Sequence, residues 1–340
     1  MIRHADLRRL VEADGPFLTV SFPTRSDLDD ARHRFDIRWK NARRAIDDSR
    51  WNEATLRELD ALVAGLPHDG GAGLVIVRAQ DDSTLVEFLD EPVAEYVGES
   101  LVPRLAPVLE ARQRAIPHVV VETDRAGADI HAFEGGRVLS TDQVEGDTEH
   151  IHRGHPGGWS QRRFQQRAEN TWERNADDVA EAIEEMDRRV GAELVFVAGE
   201  VRAKHLVHDA LSEAVRSHTT LVEAGSPEGI AEEVVRLLSD HVARSVRVLA
   251  EQVRDRLGTG TASADVGEVL AALADGRVEH LLVHDERDDV TVIDHDLAGI
   301  PAGARTVDAA VTAAIRSDAE ITVVPALALL DGPIAALLRW

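Results

Sequence analysis

Apolar side chains recur at three- or four-residue steps along one stretch in the middle of the chain. They are Phe164, Ala168, Trp172, Ala176, Val179, Ile183, Met186 and Val190. A repeat of this length places every member on the same face of a helix. The pattern therefore predicts a long amphipathic helix over Ser160–Arg189, with Trp172 in the core that it covers.

The remaining pattern predicts three segments, 1–115, 116–256 and 257–340, each of which mixes strands and helices. The first holds strands Pro16–Phe22, Gly73–Arg78 and Thr84–Leu89, and helices Asp27–Ser49, Trp51–Ala64 and Glu99–Arg114. The second adds strands His118–Thr123, Ala128–Phe133, Arg137–Ser140, Glu149–His152, Glu193–Ala198 and Thr219–Glu223, and helices Ala203–Ala214 and Pro227–Glu251. The third holds strands Val278–His284, Val290–Ile293 and Glu320–Val324, and helices Ser263–Ala274 (capped by Ser263), Val307–Arg316 and Ile334–Leu338. This alternation indicates an α/β multidomain protein.

Composition narrows the classes of function. The chain carries a formal net charge of -24, which argues against broad non-specific binding of nucleic acid. A nucleic-acid partner would need a local basic patch. Cysteine is absent, which excludes disulfides and cysteine zinc sites. The charged start has no signal-peptide core, and no run of about 18 apolar residues predicts a membrane span. We expect a cytoplasmic protein without a membrane partner.

One segment departs from the acidic composition. His150–Arg167 (HIHRGHPGGWSQRRFQQR) contains four arginines, three histidines and no acidic residue, directly before the predicted long helix. The first turn of a helix presents unpaired N–H groups and the positive end of the helix dipole. Glycines carry no side chain and so allow a partner to approach the backbone closely. Arginines beside it can hold phosphate oxygens bidentately. The alternative is a surface loop whose arginines pair with the chain's own carboxylates.

Two other features of this segment have competing interpretations. His150, His152 and His155 could form a three-histidine zinc site, but no accompanying carboxylate motif supports it, so we predict neither metal nor cofactor. Trp159 either packs against the helix or stacks on a base or sugar. Nucleotide-binding and nucleophile-elbow motifs are absent from the sequence.

The string HPGGWSQRRFQQRAENTWERNA resembles the middle domain of the archaeal/eukaryotic-type peptide release factor and Pelota superfamily. It is most similar to the bacterial branch, which includes Balon-like ribosome hibernation factors. PHVVVETDRAGADIHAF, GEVLAALADGRVEHLLVHD and DGPIAALLRW extend the resemblance over Pro117–Trp340. It implies an RNase-H-like middle domain, and a C-terminal α/β/α sandwich like the third domain of release factors and Pelota.

Release factors of this superfamily carry Gly-Gly-Gln at the same position, where the Gln places the hydrolytic water. Gly157 and Gly158 match the glycines, but Trp159 replaces the Gln and Gln161 comes two residues later. Hydrolytic geometry does not tolerate that displacement. We therefore predict that the protein is not an enzyme.

The resemblance implies a factor that binds the ribosomal A site in hibernation or rescue. Its partners would be ribosomal RNA near the peptidyl-transferase centre, tRNA and the elongation factor EF-Tu. The predicted contact residues are Arg153, His155, Pro156, Gly157, Gly158, Trp159, Ser160, Gln161, Arg162, Arg163 and Arg167.

Other functions remain open from the sequence. A residual peptidyl-tRNA hydrolase would use Gln161. A two-metal nuclease would use Glu122, Asp124 and Asp129 on strands of the middle segment. An acidic protein-interaction module would never contact RNA.

Overall fold

The computed structural model describes residues 5–24, 31–47, 50–67, 70–146, 159–286, 289–325 and 332–340, without the side chains of 5 and 159–168. The chain divides into two compact units. One combines Met1–Gln113 with Ala243–Trp340, and the other is Arg114–Val242. The domain boundaries predicted from the sequence stay a prediction. Among the described helices, none is both long enough and apolar enough to cross a membrane.

The N-terminal part of the first unit is a four-stranded antiparallel sheet with helices. Its elements are α1 (Ala5–Val11), β1 (Phe17–Pro23), α2 (Ala31–Ala45), α3 (Glu53–Ala64), β2 (Gly73–Ala79), β3 (Thr84–Leu89), β4 (Tyr96–Ser100) and α4 (Ala106–Arg114). The strand order is β3-β2-β1-β4. The side chain of Asn52 accepts a hydrogen bond from the Thr55 amide and so caps α3.

The helix predicted over Glu99–Arg114 is wrong in its first half. β4 occupies this region as an edge strand, with Glu99 opposite Leu18 of β1. The helix α4 begins only at Ala106, after Pro103, and accommodates Pro107 in its first turn, where a proline leaves no hydrogen bond unmade. Long-range pairing with β1 therefore overrides the local helical pattern.

The second unit holds the five-stranded sheet of the middle segment. Its elements are β5 (His118–Thr123), β6 (Gly127–Glu134), β7 (Arg137–Glu145), α5 (Trp159–Val190), β8 (Leu194–Gly199), α6 (Val201–Ala210), α7 (Glu213–Arg216) and β9 (Thr219–Leu221), followed by α8 (Pro227–Arg256). The order is β7-β6-β5-β8-β9. β6 is antiparallel to both neighbours, while β8 is parallel to β5 and β9. This is the RNase-H-like arrangement predicted from the resemblance.

The long predicted helix is confirmed as α5, within one residue at each end. The predicted helix over Ala203–Ala214 is instead split, because Leu211 adopts an extended conformation between α6 and α7. The predicted strand Glu149–His152 lies outside the described residues.

The C-terminal segment forms a mixed sheet with two helices. Its elements are β10 (Ala262–Ser263), α9 (Val266–Ala274), β11 (Val278–Val283), α10 (Thr306–Arg316), β12 (Glu320–Val323) and β13 (Ile334–Leu338). The order is β10-β13-β11-β12. One buried cluster joins Leu7 and Leu105 to Leu281 and Ala310, so the N- and C-terminal segments share a core.

Three predictions fail in the C-terminal segment. Ile334–Leu338 is the buried strand β13 and not a helix, since it pairs with β11 and β10. Asp265, and not Ser263, caps α9, because its carboxylate accepts the Glu268 amide at 2.9 Å. Val290–Ile293 forms only an isolated bridge, between Val292 and Arg305.

Candidate functional site

The first turns of α5, which hold part of the predicted contact segment, extend away from the middle sheet. Trp172 borders the same pocket as Thr123 and Glu200, which lie at the carboxyl ends of β5 and β8. Trp172 lies thirteen helical steps after the first residue of α5, Trp159, a rise of about 20 Å along a straight helix. α5 then returns along the sheet to Val190, before β8 begins at Leu194. Its first turns therefore project beyond the carboxyl edge of the sheet.

The predicted contact residues fall in two groups. Arg153, His155, Pro156, Gly157 and Gly158 lie outside the described residues, as do His150 and His152. Trp159, Ser160, Gln161, Arg162, Arg163 and Arg167 lie on the first turns of α5, without described side chains. Their role in binding stays a prediction, as does the zinc alternative for the histidines.

Two arginines lie against the ring of Trp172. The guanidinium carbon of Arg125 is 4.8 Å from the ring centroid, and that of Arg202 is 4.6 Å from it. Trp172 itself is only 5% exposed, which confirms its prediction as a core residue. Cations at this distance over an indole are attracted by the ring quadrupole, and more strongly where water is excluded.

Each of these arginines also has a carboxylate partner. Arg125 meets Glu200 through Nη2–Oε1 at 2.8 Å and Nε–Oε2 at 3.2 Å. Arg202 Nη2 lies 3.2 Å from Glu169 Oε1. The hydrogen bond from Arg125 lowers the pKa of Glu200 below its ordinary value. With both guanidinium groups compensated, this cluster stabilises the junction and does not form a strong anion site.

The backbone at this edge is closely packed. Gly199 has φ of +120°, and a Cβ there would lie 1.9 Å from the carbonyl oxygen of Thr123. The same carbonyl accepts a hydrogen bond from the Glu200 amide at 3.0 Å. Only glycine fits such a close approach at positive φ. The ends of β5 and β8 are therefore fixed against each other.

The chain that leaves β7 is fixed at the same edge. The Gly146 amide donates to the Ala126 carbonyl at 2.5 Å, and the Asn175 side-chain amide on α5 donates to the Arg125 carbonyl at 2.9 Å. A Cβ on Gly146 would lie 2.4 Å from Cγ of Asn175. Gly146 and the part of α5 around Asn175 thus belong to one packed junction.

The pocket beside Trp172 is too small for an ordinary small-molecule site. It contains about 260 Å³ of empty space, including its open mouth, against roughly 300–1,000 Å³ for typical ligand pockets. The charged side chains at its rim already have partners: Arg125 pairs with Glu200, Arg202 pairs with Glu169, and Asp124 accepts backbone amides. The arrangement is that of a structural joint at the base of α5.

The carboxylates of the nuclease alternative do not form a metal site. Asp124 Oδ1 accepts the Ala126 and Gly127 amides at 2.7 and 3.0 Å, and so builds the turn before β6. Glu122 and Asp129 are exposed and stand opposite each other on neighbouring strands. Within the described ranges no three His, Asp or Glu residues are grouped so that they could hold a metal.

A buried charge network lies in the other unit. Asp285 meets Arg305 at 2.6 Å and Arg104 at 3.4 Å, and Arg305 meets Asp308 at 3.3 Å. The Arg104 guanidinium also lies 4.6 Å from the Tyr96 ring centroid. Burial raises the pKa of Asp308 to about 7. This network joins the chain after β4 to the start of α10.

The sequence did not indicate Arg125, Glu200 or Arg202 as partners of Trp172. They come from the β5–β6 turn and from the start of α6, and no periodicity links these positions to α5. Only the strand order of the sheet brings them together.

Comparison with known proteins identifies the middle of the chain. Residues 117–259 match the model of bacterial archaeo-eukaryotic release factor family 2. The uncharacterised proteins Rv2629 and MT2704, from two strains of Mycobacterium tuberculosis, are each 28% identical over 303 residues, covering 86% of this chain and 80% of theirs.

Two solved structures align over almost the whole chain. The archaeal translation termination factor aRF1 is 19% identical, with coverage of 100% of this chain and 99% of its own and a TM-score of 0.26. A model of ribosome-bound archaeal Pelota with ABCE1 is 17% identical, with 98% and 93% coverage and a TM-score of 0.43. The family match covers the RNase-H-like sheet, α5 and the segment that enters α5. The middle segment, residues 117–259, is therefore similar to a bacterial family of archaeo-eukaryotic release factors.

Proposed function

We propose that this protein is a non-catalytic translation factor that binds the ribosomal A site in hibernation or rescue. One observation carries the proposal: the segment that matches a release factor family encloses the acid-free, arginine-rich residues that lead into α5. In release factors the corresponding position meets the peptidyl-tRNA end.

The charge distribution supports an anchor at this position. The net charge of -24 argues against a broad basic surface for RNA, so a local basic site is needed. Arg162, Arg163 and Arg167 concentrate positive charge on the first turns of α5, where the dipole and free amides also favour phosphate, and Arg153 precedes them in the sequence. The projection of the first turns of α5 by about 20 Å beyond Trp172 would present this charge beyond the edge of the middle sheet.

The start of α5 supports the absence of hydrolysis. Trp159 is the first helical residue after the two glycines, and Gln161 is the third. In an α-helix two residues differ by about 200° around the axis and 3 Å along it. Gln161 therefore cannot replace a Gln at position 159 without moving the helix, and a displacement of this size defeats placement of a hydrolytic water.

The partners follow from this proposal. Ribosomal RNA near the peptidyl-transferase centre would contact the arginines and Trp159, and the acceptor end of tRNA would lie near Gly157 and Gly158. EF-Tu is the protein partner that the superfamily resemblance offers. The site of action would be the cytoplasm.

Ribosome association is tested by sedimentation of lysates from growing and stressed cells. The protein should enter the 70S fraction, more strongly after stress if it acts in hibernation. A protein that stays at the top of the gradient in both lysates would contradict the proposal and favour the protein-interaction alternative.

Turnover of peptidyl-tRNA tests the proposed absence of catalysis. Turnover of ribosome-bound peptidyl-tRNA should not rise above background with the wild-type protein or with Gln161→Ala. Turnover by the wild-type protein that Gln161→Ala abolishes would instead identify a hydrolase.

A further inference from the structure

The helix α2 is strongly basic in an acidic chain. Its sequence, ARHRFDIRWKNARRA, holds five arginines, one lysine and a single acid, Asp36. The whole chain of 340 residues contains only 38 lysines and arginines. The helix therefore carries a formal charge of about +5, against -24 for the whole protein.

Three of these basic side chains serve the fold. Arg32 donates to the carbonyls at the end of α3, and Arg38 donates to the Pro23 carbonyl at 2.7 Å. Arg43 lies 3.6 Å from Asp60. Their presence is explained by packing within the N-terminal part of the unit.

A second set of side chains points to solvent. His33, Ile37, Lys40 and Arg44, here called the α2 stripe, are all exposed. At about 100° per residue they fall within a narrow arc, and they extend over about 16 Å of the helix. Phe35 and Ala42 are buried and lie on the opposite side.

The fold does not account for the charge of this stripe. Lys40 and Arg44 are four residues apart, so their like charges repel and weaken the helix. Within the described part of the chain neither has an ion-pair or hydrogen-bond partner. The helix dipole favours Arg44 in the last turn, but it does not favour Lys40 in the middle.

We propose that the α2 stripe binds RNA through the phosphate backbone. Two unpaired cations one helical turn apart provide contacts to phosphates, and Ile37, 42% exposed between them and His33, provides an apolar contact for a sugar. Charges elsewhere on the acidic surface are screened beyond about 8 Å at physiological salt, so the stripe acts locally. This surface lies on the N-terminal segment and does not depend on the function proposed for the middle segment.

The test measures binding of the full-length protein to an RNA duplex of roughly 20 base pairs over a range of salt concentrations. The wild-type protein should bind at low salt. Lys40→Gln with Arg44→Gln should weaken binding and reduce the slope of log K against log salt by roughly 2, about one for each lost phosphate contact.

Arg244→Gln with Arg254→Gln is the matched control, because it removes the same charge from exposed positions of α8. Its slope should stay at the wild-type value. No binding to the duplex, or equal slopes for all three proteins, would overturn the proposal.

Two further outcomes separate this proposal from the proposed function. Tighter binding of a polyglutamate peptide than of the duplex, with loss in the Lys40/Arg44 variant, would assign the stripe to an acidic protein and overturn it. Ribosome binding without any duplex binding would overturn it as well, while the function proposed for the middle segment would stand.

Discussion

The guanidinium carbon of Arg202 lies 4.6 Å from the centroid of the Trp172 ring. This contact joins the start of α6 to α5 at the level where α5 leaves the sheet edge. Arg125 adds the β5–β6 turn to the same ring. The direction of the first turns of α5, which carry the proposed anchor, therefore depends on packing around one tryptophan.

Truncation of this tryptophan should weaken the whole middle unit. Trp172→Ala should lower the free energy of unfolding by about 3–5 kcal/mol, because it leaves a cavity and removes the surface that two cations contact. Chemical denaturation followed by circular dichroism measures the loss. Trp172→Phe should cost clearly less, because Nε1 of Trp172 has no partner among the described residues and an aromatic face remains. Equal losses for both variants would contradict a packing role.

A methyl group at Gly199 should be poorly tolerated. The Cβ of Gly199→Ala would collide with the Thr123 carbonyl, at a φ that alanine disfavours. We expect a loss of about 3 kcal/mol or more in the free energy of unfolding. Gly225→Ala is the control, because nothing lies within 4 Å of its Cβ. Its stability should stay within about 1 kcal/mol of the wild type.

The raised pKa of Asp308 predicts a pH dependence of stability. Its pKa is about 7 in the folded protein, against an ordinary value of 3.8. Between these values the folded state keeps a proton that the unfolded chain has lost, so the free energy of unfolding falls as pH rises and levels off above pH 7. Denaturation of wild type and Asp308→Asn across this range measures the effect. The stability of the variant relative to wild type should rise with pH, and a constant difference would contradict the prediction.

Loss of Asp285 should lower the free energy of unfolding more than loss of an exposed carboxylate that also pairs with an arginine. Asp285→Ala leaves Arg104 and Arg305 buried beside each other without their shared carboxylate. We expect a loss of about 3–5 kcal/mol in the free energy of unfolding. Asp240→Ala, which breaks an exposed pair with Arg236, should cost less than about 1 kcal/mol. Similar losses in thermal denaturation would show that the network is not buried as described.

Elements with strong local signals were predicted from the sequence, and elements that depend on distant pairing were not. The long helix α5 followed from its apolar repeat, and β5 followed from a valine-rich run. Ile334–Leu338 has apolar residues at every position, which suits a short buried helix or strand equally well. Its pairing with β11, more than 50 residues earlier in the chain, makes this segment a strand.

Only part of the candidate site could be predicted from the sequence. The contact segment was recognisable because its composition departs from that of the chain and because its glycines match a family pattern. The packed contacts around Trp172, at the base of this segment, could not be predicted. Arg125 and Arg202 belong to separate elements and meet Trp172 only because β8 lies next to β5.

Binding of the ribosome by the basic start of α5 can be measured directly. Purified protein is mixed with vacant 70S ribosomes, and its co-sedimentation is measured for wild type, for Arg162→Glu with Arg163→Glu, and for Arg174→Glu with Arg188→Glu, an equal charge change at exposed positions of the same helix. The wild type and the Arg174/Arg188 control should sediment with ribosomes, and the Arg162/Arg163 variant should not. Unchanged sedimentation of the Arg162/Arg163 variant would contradict the account.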